Sequence, residues 1–254
     1  MSKNFKDRTG EIGINNYGSE MKIVSYRMSS DLSVEFKNGD TVKTSYQHFK
    51  SGNVTSHFDR TVCDIGYLGI GKHVVSIDGR QIKKYRTWRN MIRRCVNPKK
   101  GTESRSYCNS IIDGVWHDYQ NFGDWYDNNF YEVGNEKMCL DKDILFKGNK
   151  IYSPETCVFV IDRINKLFTK SKFARGDFPI GVCMDGNSII AQCKNSLIGE
   201  SQVRLGAFQS IESAFQAYKE YKETHIKEIA DLYKAEIPQN LYYAMYNYIV
   251  EVTD

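Results

Sequence analysis

The stretch from Leu140 to Val160, LDKDILFKGNKIYSPETCVFV, constrains this chain more than any other. It opens as an apolar strand that carries a charged cluster, Asp141-Lys142-Asp143. Gly148-Asn149 then marks a turn, because both residue types tolerate the backbone angles of tight turns. Tyr152-Ser153-Pro154-Glu155 reads as a helix start, with Ser153 as N-cap and Pro154 at the first helical position. The order is strand, loop, short helix, with acids at the strand. Alternation along a strand sets Asp141 and Asp143 on one face. With Asn149 or Glu155 they would make an oxygen-rich site suited to magnesium.

Charge is distributed unevenly around this stretch. Residues 71–110 hold eleven Lys/Arg against two Asp/Glu, whereas the whole chain is only +4. Such a block is the footprint of phosphate contacts. Within it, Tyr85–Val96 has helical spacing: Trp88, Met91, Ile92 and Cys95 form the apolar stripe, and Arg86, Arg89, Arg93 and Arg94 lie on other faces. No apolar run reaches the length of a membrane span. The start, MSKNFKDRTGEIG, lacks a hydrophobic signal core, which places the expected location in the cytoplasm. The seven cysteines are scattered without a Cys-x-x-Cys pair, which argues for reduced thiols over zinc or disulfides.

The expected class is α+β, in three small modules spanning residues 1–60, 61–170 and 171–254. The first reads as a small sheet: Met21–Tyr26, Ser33–Phe36 and Val42–Ser45 alternate, with the hairpin turn Lys37-Asn38-Gly39-Asp40 and a short element at Tyr46–Phe49. The second holds a hairpin around Asp78-Gly79, the arginine helix, a polar loop Lys99–Ser106 and an amphipathic helix over Tyr119–Asn129. The Leu140–Val160 motif and a helix around Asp162–Phe168 complete it. Beyond a basic linker, Lys170–Gly176, the third has three strands between Phe178 and Phe208. In Ser188–Lys194, Ile189, Ala191 and Cys193 face one way, and Ile190, Gln192 and Lys194 the other. Gln202 and Arg204 point outward while Val203 and Leu205 point inward. Ser210 caps a long helix, Ile211–Lys234, and a short helix starts near Pro238.

Two resemblances follow from these pieces. YRTWRNMIRRC, GVWHDYQNFGDWY, LDKDI, GNKIYSPETC and INKLF, in this order over Tyr85–Phe168, resemble the ββα-metal HNH endonucleases of phages and mobile introns. That likeness implies a strand Asp and a helix residue that hold one divalent metal, magnesium or manganese, and a His that activates water. Asp141 matches the metal-binding Asp. Lys142 stands where the His belongs and Thr156 where the helix ligand belongs. PIGV, RLGAF and ESAFQAYKEYKE over Phe178–Tyr233 resemble the APETALA-type DNA-binding domain, whose sheet enters the major groove with a helix behind it. The outward row Gln192, Lys194, Gln202 and Arg204 matches that DNA face by position.

The resulting expectation is a phage or mobile-element protein whose partner is double-stranded DNA. Site choice falls to the outward row and affinity to Arg86, Arg89, Arg93 and Arg94. Two outcomes remain open at the middle module. One is a metal-dependent endonuclease of the homing type, in which Asp141, Lys142 and Asp143 are catalytic and Asp141 and Asn149 hold the metal. The other is a nuclease-derived DNA-binding regulator that does not cut. Lys142 is a poor base at neutral pH unless buried, and His117 is the nearest alternative His in sequence.

Overall fold

Alternating apolar residues at Met21, Ile23, Leu32, Val34 and Phe36 build one buried sheet face at the start of the chain. A computed structural model describes residues 6–96, 109–169, 177–197 and 201–254. The polar loop 99–106 and the basic linker 170–176 lie outside the described residues. The chain divides into two compact units, residues 1–99 with 112–127 and residues 100–111 with 128–254.

In the first unit, β1 (Ile12–Ile14), β2 (Glu20–Met28), β3 (Asp31–Phe36) and β4 (Thr41–Thr44) pair antiparallel in sequence order. The expected turn at 37–40 joins β3 to β4, closed by the Phe36 N–H to the Asp40 carbonyl at 2.8 Å. The expected element at Tyr46–Phe49 is α1 (Tyr46–Ser51), capped by Ser45, which lays Phe49 on the sheet. Next come β5 (Ser76–Ile77) and β6 (Arg80–Gln81). Asp78 and Gly79 between them have φ of +50° and +74°, the left-handed pair of a type I′ hairpin.

The arginine helix is α2 (Lys83–Val96), with Trp88, Met91 and Ile92 buried as their spacing predicts. Opposite it stand a 3-10 turn at Gly114–His117, after β7 (Ile111–Ile112), and α3 (Tyr119–Asn129). Rings fill the interior: Trp88 lies 5.2 Å from Tyr119, and Trp116 5.2 Å from Phe122, between centroids. Large buried aromatics dominate core energetics, at about 1.5–3 kcal/mol per fully buried side chain.

In the second unit, β8 (Met138–Asp141) precedes β9 (Ile151–Tyr152) and pairs antiparallel with β10 (Val158–Ile161), and α4 (Asp162–Leu167) follows directly. This corrects the helix start expected at Ser153-Pro154. Ser153–Thr156 is a turn, closed by the Thr156 N–H to the Ser153 carbonyl at 3.3 Å. Proline fits the second position of such a turn as well as a helix start. The run Val158–Ile161 is buried at all four positions and gains more as the partner of β8 than as a helix.

The expected three strands are β11 (Val182–Asp185), β12 (Ser188–Asn195) and β13 (Ser201–Phe208), an antiparallel meander. The long helix is α5 (Ile211–Leu232), with a capping box at Ser210 and Ser213, and the last helix is α6 (Gln239–Tyr246). One end of α5 packs Ala214, Phe215 and Tyr218 against Val182, Ala191 and Cys193. Its other end packs Ile226, Ile229, Ala230 and Tyr233 with Val158, Val160, Ile161, Ile164, Leu241 and Met245. A single helix thus serves two cores. The second unit therefore runs across the boundary at 170/171 drawn from the sequence.

Gly181 shows why the meander needs its PIGV start. Its φ is +80°, and a Cβ there would lie 1.9 Å from Cδ2 of Tyr218. Only glycine satisfies both the backbone and the ring.

Candidate nucleic-acid interface

The outward row of the meander comes together by register. Gln192 on β12 stands opposite Arg204 on β13, and Lys194 opposite Gln202. Cross-strand partners in an antiparallel pair are close enough to act as one surface. Lys194, Gln202 and Arg204 are exposed and Gln192 is half-buried. Leu205 packs on the helix side, as expected, and Val203 is half-buried opposite Cys193. Ile190 departs from expectation: it belongs to the outward alternation yet is buried. On the central strand it stands between Cys183 and Ala207. A bulge between Ala191 and Gln192 lies at the same place, and bulges re-aim the side chains that follow.

Two contacts to β11 fix this pair of side chains. Gln192 donates its amide Nε2 to Cys183 Sγ at 3.2 Å. Arg204 donates Nη1 to Asp185 Oδ2 at 2.8 Å. Asp185 was not singled out from the sequence. Its one signal was its place before the Gly186-Asn187 turn. The partnership with Arg204 spans nineteen residues and two strands, which alternation does not reveal.

The arginine helix belongs to the first unit. Arg86 and Arg93 are exposed, two turns apart on one stripe, and Arg94 is exposed beside Arg93. Arg89 is half-buried, its guanidinium 5.9 Å from the Tyr85 ring centroid, and its Nε has no hydrogen-bond partner among the described residues. Other members of the basic block are neutralised within the unit. Lys84 pairs with Asp127 at 2.5 Å and donates to His73 Nδ1 at 3.0 Å, and Lys72 pairs with Asp124 at 2.8 Å. His73 Nε2 lies 3.0 Å from Asp124. These contacts hold the start of α2 and leave its middle and end as the basic surface.

The Asp141 cluster lies in the second unit. Asp141 is the last residue of β8, opposite Val158. Its Oδ1 accepts the N–H groups of Asp143 at 2.9 Å and Ile144 at 2.7 Å, so the carboxylate caps a turn. The strand ends there, and the expected alternation of Asp141 with Asp143 does not hold. Burial, reinforced by the Asp143 charge, pushes the Asp141 carboxyl up to about 6. Lys142 is buried, with Nζ 3.4 Å from Asp143 Oδ2 and 5.8 Å from the Tyr152 ring centroid. Cys157 is buried close by, and that burial raises its thiol to about 12, which makes it inert.

The remaining expected ligands serve the backbone. Asn149 donates Nδ2 to the carbonyls of Lys142 at 2.6 Å and Ile151 at 2.7 Å. Thr156 donates its hydroxyl to the Ile151 carbonyl at 2.8 Å. Glu155 is exposed in the turn. His117 is half-buried in the 3-10 turn of the first unit. Among the described residues no group of three or more His, Cys, Asp or Glu side chains gathers as a metal site. Asp141 and Asp143 supply two carboxylates, and Asp143 is already paired with the buried Lys142 ammonium. The donor set around Asp141 therefore does not match the expected single-metal site.

Among the described residues no helix is long and apolar enough to cross a membrane. No family model, curated protein or solved structure matches the chain. The α+β class stands on the helices and small sheets themselves.

Proposed function

We propose that this protein binds double-stranded DNA, reads sequence through the outward face of β11–β13, and gains general affinity from the arginine stripe of α2. The observation that carries the reading is the register. It sets Gln192 beside Arg204 and Lys194 beside Gln202 on an exposed face, with a helix behind the sheet. Amide and guanidinium groups match base edges in the major groove, and the ammonium matches phosphate. Arg86 and Arg93 contribute phosphate contacts that are independent of sequence.

The reading favours binding over cutting. Lys142 is buried against Asp143, and Asn149 and Thr156 close the turn. That chemistry supports a nuclease-like core used as a scaffold by a DNA-binding regulator or occluding protein.

The test is affinity for random and selected duplexes across a range of salt concentrations. Binding should weaken steeply with salt, with a log–log slope near −0.9 per phosphate contacted. Arg93→Ala should weaken all duplexes alike and flatten the slope by about one contact. Arg204→Ala should cost about 1–3 kcal/mol on the preferred sequence and little on random DNA. A salt-independent affinity would remove nucleic acid from the account. Magnesium- or manganese-dependent nicking that is lost in Asp141→Asn would replace the regulator with an endonuclease.

A further inference from the structure

Asp185 has no place in the reading so far. It ends β11, where Gly186 (φ +58°) and Asn187 return the chain to Ser188 on β12. Its backbone is thereby fixed in a two-residue hairpin whose first central residue is glycine. Its carboxylate accepts Arg204 Nη1 at 2.8 Å from the far strand of the sheet. The side chains of both residues are more than half exposed. An exposed pair of this kind contributes little to stability. Its consequence is geometric.

We infer that Asp185 is a positioning residue, which holds the Arg204 guanidinium so that the β11–β13 face selects guanine. The inference rests on the reading of that face as a duplex-binding surface and names what one of its positions recognises. A guanidinium on a free side chain samples many rotamers, and each must be given up on binding. A carboxylate on Nη1 removes much of that freedom in advance. The Nε–Nη2 edge is not part of the Asp185 contact, and it presents two parallel N–H donors. Guanine offers two adjacent acceptors in the major groove, N7 and O6, whereas adenine offers N7 beside an N6 donor. A held Nε–Nη2 edge is satisfied by the first and opposed by the second.

A second contact supports the same arrangement. Gln192, opposite Arg204, is held from β11 as well, through Cys183 Sγ. Both members of the cross-strand pair are set by neighbours on one strand, before any ligand arrives. The Asp185 charge also faces outward, where it repels phosphate. A carboxylate on a DNA-binding face lowers general affinity, so its benefit must lie in selection.

The experiment is enrichment of a library of short duplexes with a randomised centre by the full chain and by Arg204→Ala, Asp185→Asn and Asp185→Glu. Folding of each variant is checked by thermal melting. The full chain should enrich a motif with one guanine that Arg204→Ala no longer selects. Asp185→Asn should keep the flanking preferences and bind random duplex as well as before or better. Its preference for guanine over adenine at that one position should fall by roughly tenfold. Asp185→Glu keeps a carboxylate acceptor and should retain most of the preference. An unchanged guanine preference in Asp185→Asn would overturn the inference and leave duplex binding in place. So would tighter binding to every sequence with the motif intact, since Asp185 would then merely compete for the guanidinium. A motif without an Arg204-dependent guanine would overturn it too. Failure of the full chain to bind any duplex would take down the reading of the face itself, and this inference with it.

Discussion

Trp88 donates its indole N–H to the carbonyl of Trp116 at 2.7 Å, and both side chains are fully buried. This bond ties the middle of α2 to the 3-10 turn before α3, and so fixes the side of α2 that the arginines occupy. Trp88→Phe would leave the Trp116 carbonyl without its donor and open a void where the larger ring sat. The two effects together should cost about 2–4 kcal/mol. Denaturant unfolding measures the loss. A variant as stable as the parent would show that the bond is dispensable.

Gly181→Ala should be among the most damaging small changes in the second unit. The alanine would have to adopt φ near +80° and displace the Tyr218 ring. Left-handed strain of about 1–2 kcal/mol adds to an overpacking cost of about 1–3 kcal/mol. The midpoint of thermal unfolding should fall by several degrees, and in a Tyr218→Ala background, where the ring is absent, Gly181→Ala should cost only the left-handed strain. No cost in that background would place all of the strain in the ring contact.

Asp141 predicts a pH signature. Its carboxyl is raised to about 6 by burial and by Asp143, against about 3.9 in an unfolded chain. Between these values the folded state binds the extra proton, so this group's contribution to stability falls as pH rises from about 4 to 6 and stays low above. Asp141→Asn keeps the Oδ1 acceptor for the Asp143 and Ile144 N–H groups but carries no charge. It should stabilise the protein at neutral pH. The gain should shrink toward zero below pH 4. A variant that is less stable than the parent at neutral pH would mean that the negative charge at 141 is compensated in the fold.

Asn149 separates a structural role from a ligand role. Its amide closes two carbonyls across the turn, so Asn149→Ala should destabilise by about 1–3 kcal/mol. DNA affinity below the unfolding transition should be unchanged. If stability is unaffected while a divalent-metal effect on the protein disappears, Asn149 would be reassigned as a ligand.

Much of this architecture was legible in the order of residues. The period-two patterns of β2, β3, β12 and β13, the 3.6-residue stripes of α2 and α5, and the turn at Asp78-Gly79 are local rules, set by backbone geometry and burial of one face. The outward set Gln192, Lys194, Gln202 and Arg204 also followed from alternation alone. Tertiary structure decided the rest, because pairing and burial depend on residues far away in the chain. The signal at Ser153-Pro154 is common to turns and helix starts, and the partner strand β8 settled it by drawing Val158–Ile161 into a sheet. The family resemblance implied Asp141 as a metal ligand. Its two N–H donors and its burial make it a turn cap with a raised pKa. Asp185 carried no local signal beyond its place before the Gly186-Asn187 turn, and its contact with Arg204 exists only because the meander brings the ends of three strands within reach of one long side chain.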